Sequence, residues 1–314
     1  MTAAVTREPA GQRQDTGSGV AIVVVCYNQA HFLRDALESA LGQSLPADEI
    51  VLVDDGSVDH TAEIAACFPA VRYLRQRNAG LSAARNTGLR AVTAPFVLFL
   101  DSDDRLDAGA IAAALPVLRA DRARAFVYGG YREVGEDLRP RAVIQPKVYP
   151  NAFLGLLENA NHIAMHGTVL YDASILLASG GFDTSLKSCE DYDVYLRLTR
   201  TYDIAAYPLI AADYRRHGNS MSRDKLKMID AAQAVLERHS RGRSERAFAR
   251  RGLSIMIEYY GAQLLADLAK SARRGSVGEI FRLLVAVAWR PGLRKFVFRR
   301  VLGTIRSRLV PSRR

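Results

Sequence analysis

Phe96-Val97-Leu98-Phe99-Leu100-Asp101-Ser102-Asp103-Asp104 is the stretch that decides how this chain folds. An apolar run of that length, bounded by turn formers, predicts a buried parallel strand. The acidic cluster then lies at the strand's carboxyl end, the edge of an open α/β sheet where ligands bind. Carboxylates packed together repel one another unless a cation neutralises them. A hard divalent ion with oxygen ligands fits, and Mg²⁺ or Mn²⁺ commonly bridges protein carboxylates to a diphosphate. The plainer reading is an Asp-rich helix start, because helical periodicity begins near Asp107.

Two further strands end alike. Val20 to Val25 runs into Cys26-Tyr27-Asn28, and Ile50 to Val53 runs into Asp54-Asp55-Gly56-Ser57. Helical periodicity follows each. Leu33, Ala36, Leu37, Ala40 and Leu41 share one face, and Ser57 or Asp59 can cap a helix through Ala62, Ile64 and Ala65. This alternation predicts a doubly wound, mainly parallel sheet whose polar clusters converge on one edge.

With those residues in place, the chain resembles the family-2 glycosyltransferases. The resemblance rests on residues 23–28 (VVVCYN), 53–57 (VDDGS), Asn78-Ala79-Gly80 with residues 84–88 (ARNTG), Phe99 to Asp104, and Gly180-Gly181-Phe182-Asp183 followed by Glu190-Asp191-Tyr192-Asp193. It covers residues 19–222. It implies the GT-A nucleotide-sugar-binding fold, inversion at the anomeric carbon and a nucleoside-diphosphate sugar donor, UDP most commonly. By resemblance, Tyr27, Asn28, Asp54, Asp55, Asn78, Arg85, Asp101 and Ser102 form the donor site. Asp103, with Asp101, Asp104 and His217, would hold Mg²⁺ or Mn²⁺. Asp191 resembles the general base, with Glu190 as the fallback.

The residue types suit those tasks. Tyr27 offers an aromatic face to a base, and Asp55 an acceptor to a base N–H. Asp54 serves equally as a turn brace or helix cap. Arg85 suits phosphate by its charge and fork geometry, or else pairs with the acidic edge. Asn78 and Asn86 can order their loop through bonds to the backbone. A base at position 191 would start a helix, which favours its ionised form. His217 can complete a metal site as a neutral imidazole or lie in a surface loop. His162 and His166 could line the acceptor side, in a stretch that reads as loop-to-strand.

At 314 residues, 49% hydrophobic and 24% charged, the chain has room for one large α/β domain and an appendage. We expect a leader over 1–18, a catalytic domain over 19–225 and a helical region over 226–314. Cys26, Cys67 and Cys189 form no disulfide framework and no zinc spacing, which suits a reducing, cytoplasmic setting. Residues 226–314 carry 20 basic and 6 acidic side chains, against 23 and 27 before them. Helices are expected over 229–238, 245–271 and 276–289.

Residues 290–314 hold nine basic residues and no acidic one, with Leu293, Val297, Val301, Ile305 and Leu309 at every fourth position. That pattern suits a basic amphipathic helix on the inner face of a membrane, where a lipid-linked acceptor is met, or a helix packed on the enzyme. It suits a homo-oligomer contact equally. Nucleic acid is not expected as a partner, because no recognition motif accompanies the charge. A nucleotidyltransferase would want a Gly-rich phosphate loop after the first strand, and Cys26-Tyr27-Asn28-Gln29 is not one. A non-catalytic relative acting as a membrane-surface or polyanion-binding module is the alternative function. The acceptor expected for a transferase is a hydroxyl of a cell-envelope glycan, glycolipid or exopolysaccharide.

Overall fold

β1 (Val20–Cys26) shows how the sheet is covered. Val20, Ile22, Val24 and Cys26 enter one buried cluster and Ala21, Val23 and Val25 the other, following the two-residue period of a strand. The computed structural model describes residues 17–218 and 224–309, so most of the expected leader lies outside the described residues. Ser18 is already anchored, its N–H and hydroxyl both donating to Asp48.

The chain runs through α1 (Ala30–Leu41), β2 (Glu49–Asp54), α2 (Thr61–Ala66), β3 (Arg72–Arg75), α3 (Leu81–Ala91) and β4 (Phe96–Asp101). Next come β5 (Arg105–Leu106), α4 (Ala110–Arg119), β6 (Arg124–Gly135), β7 (Pro140–Ile144) and α5 (Ala152–Glu158). A 3-10 turn at His166–Thr168 leads into β8 (Val169–Asp172) and α6 (Ala173–Ala178). α7 (Glu190–Leu198) and β9 (Asp203–Arg216) follow. The helices α8 (Lys225–His239), α9 (Arg243–Arg273), α10 (Val277–Ala288) and α11 (Pro291–Leu309) come last, close to the expected spans.

The sheet order is β3-β2-β1-β4-β8-β6-β9-β5, with β7 on β6. The first four strands are parallel, as the repeated strand-helix pattern requires. Beyond β4 the sheet is mixed: β8 is antiparallel to both β4 and β6, while β9 runs parallel to β6 and antiparallel to β5. Parallel pairing is therefore unbroken in the first half and mixed with antiparallel pairing in the second. β6 and β9 are flanked by helices just as the first strands are, so strand-helix alternation alone does not give their direction.

α3 and α5 to α9 bury their apolar sides on one face, while α1, α2 and α4 cover the other. α3 can approach β1 closely because position 88 is glycine: a Cβ there would lie 2.2 Å from Val23 Cγ1. The first cluster runs without a break from the sheet into Ile229, Val235, Ile257, Leu264, Leu293 and Phe296 of the C-terminal helices. α7 is the hinge of this junction. Its Asp193 lies 2.8 Å from His239 Nε2 and 3.2 Å from Arg238 of α8. Burial raises the Asp193 pKa, but His239, Arg197 and Arg238 together hold it below the ordinary value.

Candidate active site

The alternation of β4 sorts the acidic cluster. Val97 and Phe99 face the α3–α7 side, and Asp101 continues that series. Arg85 on α3 meets it, with Nη2 2.7 Å from Asp101 Oδ1 and Nη1 2.7 Å from Glu190 Oε1 of α7. The guanidinium is only 2% exposed and stacks over Phe182. Arg85 therefore bridges two carboxylates; the ion-pair alternative describes its contacts, and both of its terminal nitrogens are engaged.

Ser102 turns the opposite way. It is buried beneath the cleft lining, and its hydroxyl donates to Gln29 Oε1 at 2.5 Å. Gln29 in turn donates to Asp103 Oδ2, which also lies 2.8 Å from His217 Nε2. His217 is thus beside the acidic cluster, held by Asp103. Asp104 is buried and accepts the Arg215 N–H at 2.9 Å. Burial and the neighbouring carboxylates raise Asp104 well above the usual range; Asp101 is raised as well, by burial and by Asp103 against the pull of Arg85. β5 separates the cluster from α4, so a helix start does not account for it.

Oxygens of Asp101, Asp103 and Asp104 lie within 4.8 Å of one another, and no other such group converges among the described residues. An all-carboxylate set fits a hard divalent cation, and two of its members, Asp101 and Asp104, are raised by burial and then by neighbouring carboxylates. His162 is not part of any such set. It packs against Tyr128 and Tyr149, and burial pushes its pKa down to about 4.

At the end of β1, Tyr27 is half-exposed and lines the cleft. Asp55 ties the following loop: its Oδ1 accepts from Gln76 Nε2 and the Ala79 N–H, and its Oδ2 from the Gly80 N–H at 2.8 Å. A carboxylate has about four acceptor sites, so one remains on Oδ2. Asn78 sits exposed on the rim, and the loop is ordered by Asp55 rather than by Asn78. Asn86 instead clasps Phe182 through both its N–H and its carbonyl. Asp54 and Asn28 do not line the cleft. Asp54 accepts from the Ser57 N–H and the Tyr73 hydroxyl, and Asn28 accepts the Val58 N–H, so both brace turns.

α7 opens on Cys189, which is buried with φ of 60°, and points Glu190 and Asp191 at the same cleft. Asp191 Oδ2 accepts from Asn161 Nδ2 at 3.2 Å. The helix start does not keep this carboxyl at its ordinary acidity. Burial, then the adjacent Glu190, push it up to about 7, against the smaller pull of Arg85 and of two hydrogen bonds. His166 lines the cleft too, buried and neutral, bonded through Nε2 to the Tyr171 hydroxyl. One cavity of about 540 Å³ thus gathers Tyr27, Asp55, Arg85, Asp101, Asp103 and Asp191.

The sequence model of the family described as "Glycosyl transferase family 2" matches residues 21–178, half of the chain. The chain belongs to glycosyltransferase family 2. This transferase is 25% identical over 296 residues to an uncharacterized glycosyltransferase of Rickettsia typhi, covering 92% of this chain and 91% of the relative. It is 30% identical over 211 residues to chondroitin synthase of Escherichia coli, covering 66% of this chain but 30% of that larger protein. Its fold resembles the mannosyltransferase PcManGT of Pyrobaculum calidifontis, solved with GDP-Man and Mn²⁺, at TM-score 0.59 and 20% identity over 88% of this chain and 82% of that one. It also resembles S. aureus TarS solved with UDP, at TM-score 0.55 and 18% identity over 76% and 72%. The fold is therefore GT-A with a helical C-terminal part.

Two site residues of the transferase escape sequence reasoning. Gln29 joins Ser102 to Asp103, and its only signal is its place one residue past the Cys-Tyr-Asn strand end. Asn161 meets Asp191 from 30 residues away, following Ala160 in the left-handed region. No local pattern announces it.

Proposed function

We propose that this enzyme moves a sugar from a nucleoside-diphosphate sugar, a UDP-sugar by preference, to a hydroxyl of a cell-envelope glycan, glycolipid or exopolysaccharide, inverting the anomeric carbon in one in-line displacement. Residues 19–225 form the catalytic part. The observation that carries the reading is the shared cavity, with a cluster of carboxylates from the end of β4 and a near-neutral carboxyl from the start of α7. Nucleotide ligands in the two solved neighbours, UDP and GDP-Man with Mn²⁺, support the donor class.

Asp191 takes the proton of the attacking hydroxyl. A base works best with a pKa near the operating pH, and burial beside Glu190 supplies that. Asn161 holds its orientation. Glu190 is a weaker base candidate, since its Oε1 is bound to Arg85. Tyr27 stacks on the nucleobase, and the remaining acceptor site of Asp55 takes a base N–H. Asp103, with Asp101, Asp104 and His217, would hold Mg²⁺ or Mn²⁺. That ion would neutralise the charge developing on the departing diphosphate.

The test is binding and turnover of UDP-, GDP- and dTDP-sugars with Mn²⁺, with Mg²⁺ and with EDTA, on the wild type and Asp103→Ala, with the product anomer read by NMR. Metal-dependent use of one donor with inversion, lost in the variant, is expected. Turnover unaffected by EDTA, or a retained anomer, would overturn the proposal.

A further inference from the structure

α10 is apolar on two opposite sides. Leu283 and Val287 pack toward the core, where α9 and α11 lie. Val277, Phe281, Leu284 and Val285 point away from it, and Phe281 is 69% exposed. Trp289, just past the helix end, is 82% exposed, and Phe298 on α11 is exposed as well. A helix that is hydrophobic all round is ordinarily covered on every side. A contiguous bare apolar stripe of this kind marks an interaction surface.

The charge around the stripe is predominantly basic. Residues 270–300 hold nine basic side chains and one acidic, Glu279. Arg273 and Arg274 end α9 just before α10, and Arg294, Lys295 and Arg299 stand exposed on α11 just after it. Exposed basic side chains therefore bracket the stripe at both ends. No helix among the described residues is long and apolar enough to cross a membrane.

The first turns of the tail helix turn part of the face read from its sequence into the protein. Leu293 is fully buried, Phe296 is 9% exposed, and Val297 packs on the same core. Gly261 of α9 makes room for this contact, since a Cβ there would lie 2.7 Å from the Phe296 ring. The first turns of α11 thus use their apolar side inside the protein. Side chains from 301 onward lie outside the described set.

We propose that the exposed face of α10, with Trp289, seats on an anionic lipid surface, and that the flanking arginines and lysine draw it there. Apolar wedges between basic flanks match the interfacial mode of peripheral binding, in which acyl burial and headgroup attraction act together. A soluble partner of mixed charge would leave the predominantly basic rim unmatched. This surface is independent of the chemistry assigned to the cleft.

The experiment uses the full chain and vesicles of phosphatidylcholine with and without phosphatidylglycerol. Trp289 is the chain's one tryptophan, so its emission reports on this face directly. Anionic vesicles are expected to shift that emission to the blue and to sediment the protein, with neutral vesicles binding about tenfold more weakly or less. Phe281→Ser with Leu284→Ser keeps the reporter and removes exposed side chains only, so it should fold and lose both signals. Arg294→Glu with Lys295→Glu should keep the fold and lose the preference for anionic lipid. Three results would overturn the proposal. One is emission blind to anionic vesicles. Another is full binding by the serine variant, which would assign the attraction to charge alone. The last is a dimer in sedimentation velocity that shields Trp289 without lipid, which would give the face to a second copy.

Discussion

Arg85→Met separates the two roles open to this arginine. In the structure it neutralises Asp101 and Glu190 together, each at 2.7 Å, while being 2% exposed. At an effective dielectric near 20, each contact at that distance is worth about 6 kcal/mol of gross Coulomb attraction, before the desolvation of the ions is subtracted. Removing one partner of a buried ion pair typically costs about 3–5 kcal/mol, because the remaining carboxylates stay buried without a counter-charge. At roughly 2–4 °C per kcal/mol for a chain somewhat smaller than this one, the melting temperature should fall by at most about 6–20 °C at pH 8. The orphaned carboxyls protonate more readily in the folded state than in the unfolded one. The folded state then binds the extra protons, so the loss should shrink toward pH 5. Mn²⁺ should restore part of it by neutralising Asp101. Calorimetry with and without Mn²⁺ at the two pH values is the assay. A melting temperature within about 2 °C of wild type, with nucleotide-sugar affinity lost, would falsify the brace and return Arg85 to the phosphate.

Asp191 sets two further outcomes. Its deprotonated form is the active one, so kcat/KM should rise with pH through about 7, and Asp191→Asn should lose about 10²–10⁴-fold of the rate. The same variant should be the more stable protein at pH 8, because the raised pKa means that folding opposes ionisation from the unfolded value upward to about 7; the advantage should shrink as the pH falls through that range and vanish only below the ordinary carboxyl value of 3.8. A flat pH–rate profile, or equal melting curves at pH 8, would refute this. Asn161→Ala removes a hydrogen bond to the ionised form and should move the acid limb of the profile upward, by no more than about one pH unit, with donor KM unchanged. An unmoved limb would leave Asn161 with a structural role only.

What the sequence made legible follows from range. The strand ends of β1, β2 and β4 are local patterns, so Tyr27, Asp55, Asp101 and Asp103 could be placed on one edge from periodicity and turn chemistry alone. The motif before α7 likewise led to Asp191. Pairings across the chain were not legible. Arg85 meets Glu190 across 105 residues, and one more ion pair at a phosphate-like position looks the same in sequence as a phosphate ligand. Asp54 and Asp55 are adjacent and identical in type. Only the strand's alternation and the path of the next loop decide that one braces Ser57 and Tyr73 while the other faces the cleft. The acidity of Asp191 depends on depth of burial, which outweighs the helix start and has no sequence signature. The direction of β6, β8 and β9 was hidden because helices lie between these strands whether they pair parallel, as β6 and β9 do, or antiparallel, as β8 does with β4 and β6.

α7 has a consequence for how the enzyme can be taken apart. One side of its first turn offers Asp191 to the cleft, and the other fastens Asp193 to His239 and Arg238 of α8. The cleft carboxyl proposed as the base and the first C-terminal helix are therefore parts of one mechanical piece, whatever boundary the composition suggests near residue 225. A chimera that exchanges acceptor preference by grafting the C-terminal helices from a relative would carry off half of this clasp. A graft that keeps this clasp transplants α7 and α8 as a unit, and must then preserve the partners they meet elsewhere, among them Arg85 for Glu190, Asn161 for Asp191 and Asp183 for Arg238.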